Sequence, residues 1–532
     1  MKLYFLLFIA WLCSIANAQE LVFIEFKDKP YASSYFANPL LMLSQDALQR
    51  RTDRKIEIDL RDVPIHQAYS EQIKSKFEIL GYSKWLNGVV VEITAESQRE
   101  WLQSQEFVQQ VQTFVRNPNA QPKSKIASKF YEKEDLNSLL DSDIFIQQLN
   151  LQALHEQGFT GKNVKLAVFD SGFWGVDVMD AFQYIRENNR IRYTYDFVQK
   201  TQQIYAHNTH THGTMVLSNI SAKTASYTGT GYDTDLYLFR TEYAPAETPL
   251  EMVYWVMAAE RADSLGVAII NSSLGYYDFD DPRYNYTHAE LDGNTAYITK
   301  GANVAVEKGI IVVNAVGNER ANAWGKMNFP ADSNGVLAIG AVFDDGFVTG
   351  FSSYGPTADN RIKPELMAMG GNVPLYNYYF GDYFTTASGT SFSSPIIAGA
   401  IASLIQGKSE FTVDQLKSIL FRSADRYTNP DNDYGYGIPD FAKAKQYLDE
   451  DLSIQTSNKQ TVLLYPNPTK AQLHIKSNAV VEKVEVIDMK GQIIRKFYQN
   501  DAVSLQGITQ GVYLVKVYFS DGETITQKVL KE

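Results

Sequence analysis

Three short stretches carry residue types that can do chemistry together. HNTHTHGTMV, His207 to Val216, holds three of the chain's seven histidines: His207, His210 and His212. VKLAVFDSGF closes an apolar run with Asp170-Ser171-Gly172. GTSFSSP, Gly389 to Pro395, sets Ser391 just ahead of the apolar run IIAGAIASLI. A serine hydroxyl is a weak nucleophile until a base takes its proton. An imidazole can be that base, and a carboxylate can hold the imidazole in one tautomer. Each stretch also has a plainer reading. An Asp after a strand serves turns, a Ser ahead of a helix caps it, and clustered histidines bind metal.

The elements that position these residues follow from apolar periodicity. From about 145 to 450, VKLAVFD, DLYLFR, GVAIINSSLG, GIIVVNAVGN and GVLAIGAVF read as strands. Helical stretches lie between them, as at Leu250 to Leu265 and Thr295 to Lys308. Continuous apolar strands alternating with helices predict an α/β fold, a parallel central sheet covered by helices on both faces. Ligands of such sheets bind at the carboxyl ends of the strands, where Asp170, Gly275 and Asn318 fall. Ser391 should open a helix running to about Leu404.

Asp, His and Ser occur in that order along the chain, which is the subtilisin order of a triad built on several unrelated folds. Residues 145 to 450 resemble the subtilase family of subtilisin-like serine peptidases. The resemblance rests on DSG around Asp170, HGTxV from His212 and GTSxSxP around Ser391. NSSLG, Asn271 to Gly275, resembles the family's substrate-binding strand, and NAVGN, Asn314 to Asn318, its oxyanion-hole loop. The resemblance implies Ser391 as nucleophile, His212 as base and Asp170 as the group that orients it. The Asn318 amide and the Ser391 backbone N–H would receive the oxyanion. Ser273, Leu274 and Gly275 would pair with the substrate backbone and, with Ala315 to Gly317, wall the S1 pocket. Those walls are small and uncharged, which favours an apolar or aromatic P1 residue. His207 and His210 become bystanders, since the chain has no HExxH, no acidic residue within the cluster and a single cysteine, Cys13. No metal or other cofactor is required for the chemistry. Structural calcium is compatible with the family but has no assignable ligands. The insertion Tyr276 to Ala289, with Asp278, Asp280 and Asp281, reads as a solvated loop, with capping of the cleft or calcium binding as alternatives.

The flanks differ in texture. MKLYFLLFIAWLCSIANAQE reads as a signal peptide over 1–18, with Ala16-Asn17-Ala18 as the cleavage pattern. Cys13 as a lipid site is disfavoured by the bulky Leu12 before it. Residues 19–135 read as a propeptide-like α+β domain with a Lys-rich linker. Its strands are expected at Leu21 to Phe26, Val89 to Ile93 and Val108 to Val115, and its helices at Tyr69 to Leu80 and Ala95 to Gln105. A stable accessory domain is the alternative, and Arg50-Arg51 is a candidate internal nick site. The peptidase domain is expected over 136–450 and a polar linker over 451–460. A small all-β sandwich should occupy 461–532. YPNPT, IDMKG, GVYLVKV and the terminal KVLKE resemble the sorting domain of the type IX secretion system of certain Gram-negative bacteria. A glycan-binding sandwich is less apt, because no row of exposed aromatics is evident.

A net charge of -12 argues against nucleic acid or an anionic membrane as partner. With no cysteine beyond Cys13, an exported chain cannot rely on disulfides. The combined expectation is a secreted or surface serine endopeptidase, made as a zymogen and exported through the periplasm. It would be a monomer acting on proteins or peptides and meeting secretion machinery through its C-terminal domain. A catalytically silent adhesin or binding protein of the same fold is the alternative, disfavoured by the intact Asp170, His212, Asn318 and Ser391.

Overall fold

Seven strands form a wholly parallel sheet in the order 366–369, 337–342, 311–315, 269–272, 165–170, 235–240, 191–196. The computed structural model describes residues 19–120, 133–135, 143–206, 209–379, 381–457, 462–498, 502–520 and 522–532. The chain divides into two compact units, Met1–Leu448 and Asp449–Glu532.

The sheet strands are apolar on both faces because both faces are covered. Ala167, Phe169, Tyr237, Phe239, Ile270 and Val312 share a core with the helices Pro249–Ser264 and Tyr297–Glu307. Alternate residues such as Leu166, Val168 and Ile269 are equally buried and point to the other face. That face receives His212–Ser221 and Thr390–Ile405, two helices buried along their whole length. A helix apolar on all sides belongs in the middle of a domain. Its close packing there depends on glycine. A Cβ on Gly399 would lie 2.1 Å from Thr230 Oγ1.

The N-terminal domain is a four-stranded antiparallel sheet in the order 81–83, 88–93, 20–26, 108–113. One face, with Val22, Ile24, Phe26, Val89 and Val91, packs on Ile73 and Leu102 of its own helices. The opposite face presents Leu21, Phe23 and Val90 to the core around the helix Pro249–Ser264. The period-2 alternation of LVFIEF thus serves two different cores. Gly81 permits the contact, since a Cβ there would meet Val253 Cγ1 at 2.4 Å.

Several expectations need correction. The helix predicted over Tyr69 to Leu80 spans Gln67–Lys74, and Phe77 and Ile79 pack against the domain core beyond its end. The insertion Tyr276 to Ala289 is not a solvated loop. Tyr276, Phe279, Tyr284 and Tyr286 are buried in the main core. Rings whose polar tip finds a partner bury well, and the Tyr284 hydroxyl accepts from Leu21 N at 3.1 Å. Asp451 to Ser457, expected as a polar linker, continues the helix Phe441–Ser457. Most of the Lys-rich linker lies outside the described residues. Lys133–Asp135 form a short strand paired antiparallel with Asp382–Ser388, Lys133 opposite Ser388.

The second unit carries two antiparallel sheets, 462–465, 472–477, 502–504 and 493–498, 481–487, 511–519, 524–531. Leu464, Leu473 and Val503 of the first meet Val484, Val515 and Val517 of the second in one core. This is the expected sandwich. Among the described residues no helix is long and apolar enough to cross a membrane.

Candidate active site

Asp170 ends the strand Lys165–Asp170 and is fully buried. Its Oδ1 accepts from Ser171 N at 2.7 Å and from Ser171 Oγ at 3.1 Å. His212 opens the helix His212–Ser221, and its Nδ1 lies 2.7 Å from the same oxygen. Glycine makes this approach available. A Cβ on Gly213 would sit 2.4 Å from Gly172 O and 2.9 Å from Asp170 Cβ. Gly172 itself has φ +153, and a Cβ there would meet Thr209 Cβ at 2.5 Å. The D-S-G and H-G-T stretches are therefore two halves of one contact. His210 shapes the turn, with its Nδ1 accepting from His212 N at 3.1 Å. His207 lies outside the described residues.

The strand ends are fixed by charge as well. Arg240, paired with Asp170 on the neighbouring strand, donates Nε to Ser171 O at 3.0 Å and Nη1 to Asp196 at 2.9 Å. This buried pair holds the backbone that carries the carboxylate. The sequence signal was weak: one charged residue ending each of two strands, YTYD and DLYLFR.

Ser391 is the second residue of the helix Thr390–Ile405 and is buried. Pro395 stands four residues on and has no N–H for the Ser391 carbonyl, the usual i→i−4 partner. Ser273 Oγ supplies the hydrogen bond instead, at 2.7 Å. Asn271 Nδ2 donates to that hydroxyl at 3.3 Å, and Ser394 Oγ donates to Asn271 Oδ1 at 2.9 Å. Phe392 lies against the His212 ring, with centroids 6.2 Å apart, so His212 and the Ser391 turn are neighbours. Ser273 thus braces the Ser391 turn with its side chain, a role additional to the substrate contact expected of it.

Asn318 is exposed. Its Oδ1 accepts from Thr390 N at 2.9 Å and Thr390 Oγ1 at 3.0 Å. With the oxygen engaged on both sides, the amide orientation is set and the NH₂ turns away from Thr390. Gly317 N donates to Thr390 Oγ1 at 3.3 Å, and Gly317 has φ +113. Leu274, Gly275, Ala315 and Gly317 are held close together by two asparagines. Asn314 Nδ2 donates to the carbonyls of Leu274 (3.0 Å) and Ala315 (2.7 Å). Cβ atoms on Gly275 and Gly317 would both strike Asn328.

One group of side chains among the described residues has metal-ligating geometry, and the sequence reading missed it. Carboxylate oxygens of Glu242, Glu247 and Glu251 lie within 4.8 Å of one another, all buried. Glu251 also accepts from Tyr243 N and Thr248 N, both at 2.8 Å, and Glu242 accepts from the Tyr276 hydroxyl. Burial, then the Glu242 charge, pushes that hydroxyl well above the usual tyrosine range. Two acids of the insertion serve their own loop, and the third reaches the segment that carries Glu247. Asp281 pairs with Arg283 at 2.6 Å, Asp278 accepts from Asn285, and Asp280 accepts from Glu247 N at 3.3 Å.

A parallel sheet with Asp, His and Ser at its strand and helix ends defines a class, and comparison with known proteins gives the family. Residues 161–437, more than half of the chain, match the Subtilase family. The chain belongs to that family. Residues 21–129 match the Peptidase S8 propeptide domain, Bacteroidota, and residues 463–532 match the Secretion system C-terminal sorting domain. The chain is similar to Serine protease AprX of Bacillus subtilis (strain 168), 27% identical over 58% of this chain and 72% of that one. Subtilisin amylosacchariticus of Bacillus subtilis subsp. amylosacchariticus is 28% identical over 57% of this chain and 70% of its own. Subtilisin-like protease SBT6.1 of Arabidopsis thaliana is 26% identical over 47% of this chain, a stretch spanning only 22% of the plant protein.

Proposed function

We propose that the protein is a secreted subtilisin-like serine endopeptidase, made as a zymogen, that hydrolyses peptide bonds of proteins. The carrying observation is the buried 2.7 Å contact of His212 Nδ1 with Asp170, beside the Ser391 turn. Ser391 Oγ attacks the scissile carbonyl while His212 Nε2 takes its proton. His212 then protonates the leaving amine. Asp170 keeps the proton on Nδ1 and stabilises the imidazolium without being protonated itself. The Ser391 N–H and the Asn318 amide NH₂ receive the oxyanion. Water repeats the cycle on the acyl-enzyme. The substrate strand lies along Ser273, Leu274 and Gly275, and its P1 side chain enters between them and Ala315 to Gly317, with apolar or aromatic residues preferred. No cofactor takes part in these steps.

The N-terminal domain acts as the propeptide. The C-terminal sandwich directs the chain, after the periplasm, across the outer membrane to the surface or beyond. The enzyme works as a monomer on protein substrates and takes no nucleic acid, in keeping with its net charge of -12. The test is Ser391→Ala. Peptide cleavage should fall to near background, leaving only the effects of binding and the oxyanion hole. A fluorophosphonate should label the parent at Ser391 and not the variant. Turnover that survives Ser391→Ala, or that a chelator abolishes while Ser391 resists labelling, would refute the assignment.

A further inference from the structure

Arg50 and Arg51 look from sequence like a dibasic nick site. In the structure both are buried, 6% and 2% exposed, as is Arg54 at 6%. All three sit on or just beyond the helix Gln45–Asp53 of the N-terminal domain and reach into the protease domain. Arg51 contacts both oxygens of Asp263 at 2.9 Å, Asp62 at 2.8 Å and the carbonyl of Lys308 at 3.1 Å. Arg50 binds the Asp263 carboxylate and the carbonyl of Val267. Arg54 binds the carbonyl of Gly309 and stacks 4.6 Å over the Phe411 ring. Lys308 answers from the protease side, with Nζ 2.7 Å from Asp62 and 2.9 Å from Asp59.

Two physical features make this a built docking surface. Of the carboxylates that Arg50, Arg51 and Lys308 face, Asp62 and Asp263 are fully buried, and each meets two cations: Arg51 and Lys308 at Asp62, Arg50 and Arg51 at Asp263. The carbonyls of Val267, Lys308 and Gly309 follow the C-terminal ends of the helices Pro249–Ser264 and Tyr297–Glu307, where helix carbonyls lack partners and the dipole favours cations. Breaking such a lattice from one side strands a buried charge.

We infer that Arg50 and Arg51 are the anchor by which the N-terminal domain grips the protease domain through Asp263, not a processing site. The anchor holds that domain in place after the connecting chain is cut, and activation requires breaking it. The activation clause rests on the proposed peptidase reading. The docking clause does not.

The test uses the full chain carrying Ser391→Ala, so that no self-processing intervenes. Amide hydrogen exchange in the helix Gln45–Asp53 and in the last turn of Pro249–Ser264 reads the docking directly. Adding Arg50→Ala with Arg51→Ala should speed exchange there by roughly hundredfold or more, with the strand Lys165–Asp170 unchanged. Exchange at the parent rate overturns the inference. Arg50→Lys with Arg51→Lys keeps charge but loses the planar fork, and should fall between. If the alanine pair does not fold, this pair is read alone, and parent-rate exchange again overturns the proposal. In the chain with Ser391 intact, the cleaved N-terminal domain should co-elute with the protease domain and separate from it in the alanine pair. Co-elution in both overturns the anchor. A parent that cleaves no peptide at all sinks the peptidase reading and leaves the exchange result standing.

Discussion

Replacing Thr390 by valine should lower kcat by about three- to twentyfold and leave KM nearly unchanged. Thr390 is buried and its hydroxyl does two things. It donates to Asn318 Oδ1 at 3.0 Å and accepts from Gly317 N at 3.3 Å. Losing an oxyanion donor outright costs roughly 10²–10³ in kcat, which bounds the effect from above. Valine keeps the shape and the backbone N–H that binds Asn318 at 2.9 Å. It removes one neutral hydrogen bond, worth about 0.5–1.5 kcal/mol, or roughly two- to thirteenfold. The orphaned Gly317 N–H adds to that. The amide orientation matters mainly when the oxyanion forms, so ground-state binding should barely change. Steady-state cleavage of a chromogenic peptide, normalised by active-site titration, gives kcat and KM without counting misfolded enzyme. Thr390→Ser should behave like the parent. An unchanged kcat in Thr390→Val, or a rise in KM alone, would refute the role of Thr390 in aiming Asn318.

Gly213→Ala would put a methyl 2.4 Å from Gly172 O, so the helix must move and carry His212 off Asp170. Turnover should drop by about hundredfold and stability by about 1–3 kcal/mol; full activity in a normal melting profile would contradict the close-approach argument. Burial raises the Asp263 pKa, but Arg51 and Arg50 outweigh it and hold the carboxyl below its ordinary value. The docking it supports is therefore present above the usual carboxylate range and fades as pH falls through the lowered value. Co-elution of the cut N-terminal domain should persist from about pH 8 to 5 and be lost progressively only below the ordinary carboxylate value of about 3.9; loss already near pH 6 would point to another group. Deleting residues 461 to 532 should leave an active, processed enzyme in the periplasm, by fractionation and peptide assay; its normal appearance outside the cell would exclude a sorting role for the sandwich.

The sheet and its helices could be read because parallel strands are apolar on both faces and recur with helices between them. The helix opening at His212 could not, since HGTMVLSNIS is buried on every side and shows no amphipathic face. The Tyr276 to Ala289 insertion misled through composition. Its aspartates and tyrosine hydroxyls read as polar, while its rings fill the core. Asp451 to Ser457 misled in the opposite way, as polar residues that nonetheless extend a helix.

The residues proposed to react could be picked out in the sequence and the groups packed against them could not, for one physical reason. Asp170, His212 and Ser391 each stand in a local run that the backbone requires: a strand end, a glycine that lets a helix approach, a helix start. Their supports are pairs made by topology. Arg240 reaches Ser171 because the strands 235–240 and 165–170 are neighbours. Pro395 is visible in the sequence, but its consequence is not. It frees the Ser391 carbonyl, and only the adjacent strand 269–272 explains why Ser273 is there to take it. The same holds for Arg50 and Arg51. Their spacing suggests a protease site, and only the helix ends opposite them turn the pair into an anchor. Local runs therefore nominate the candidate residues, and strand order decides what holds them still.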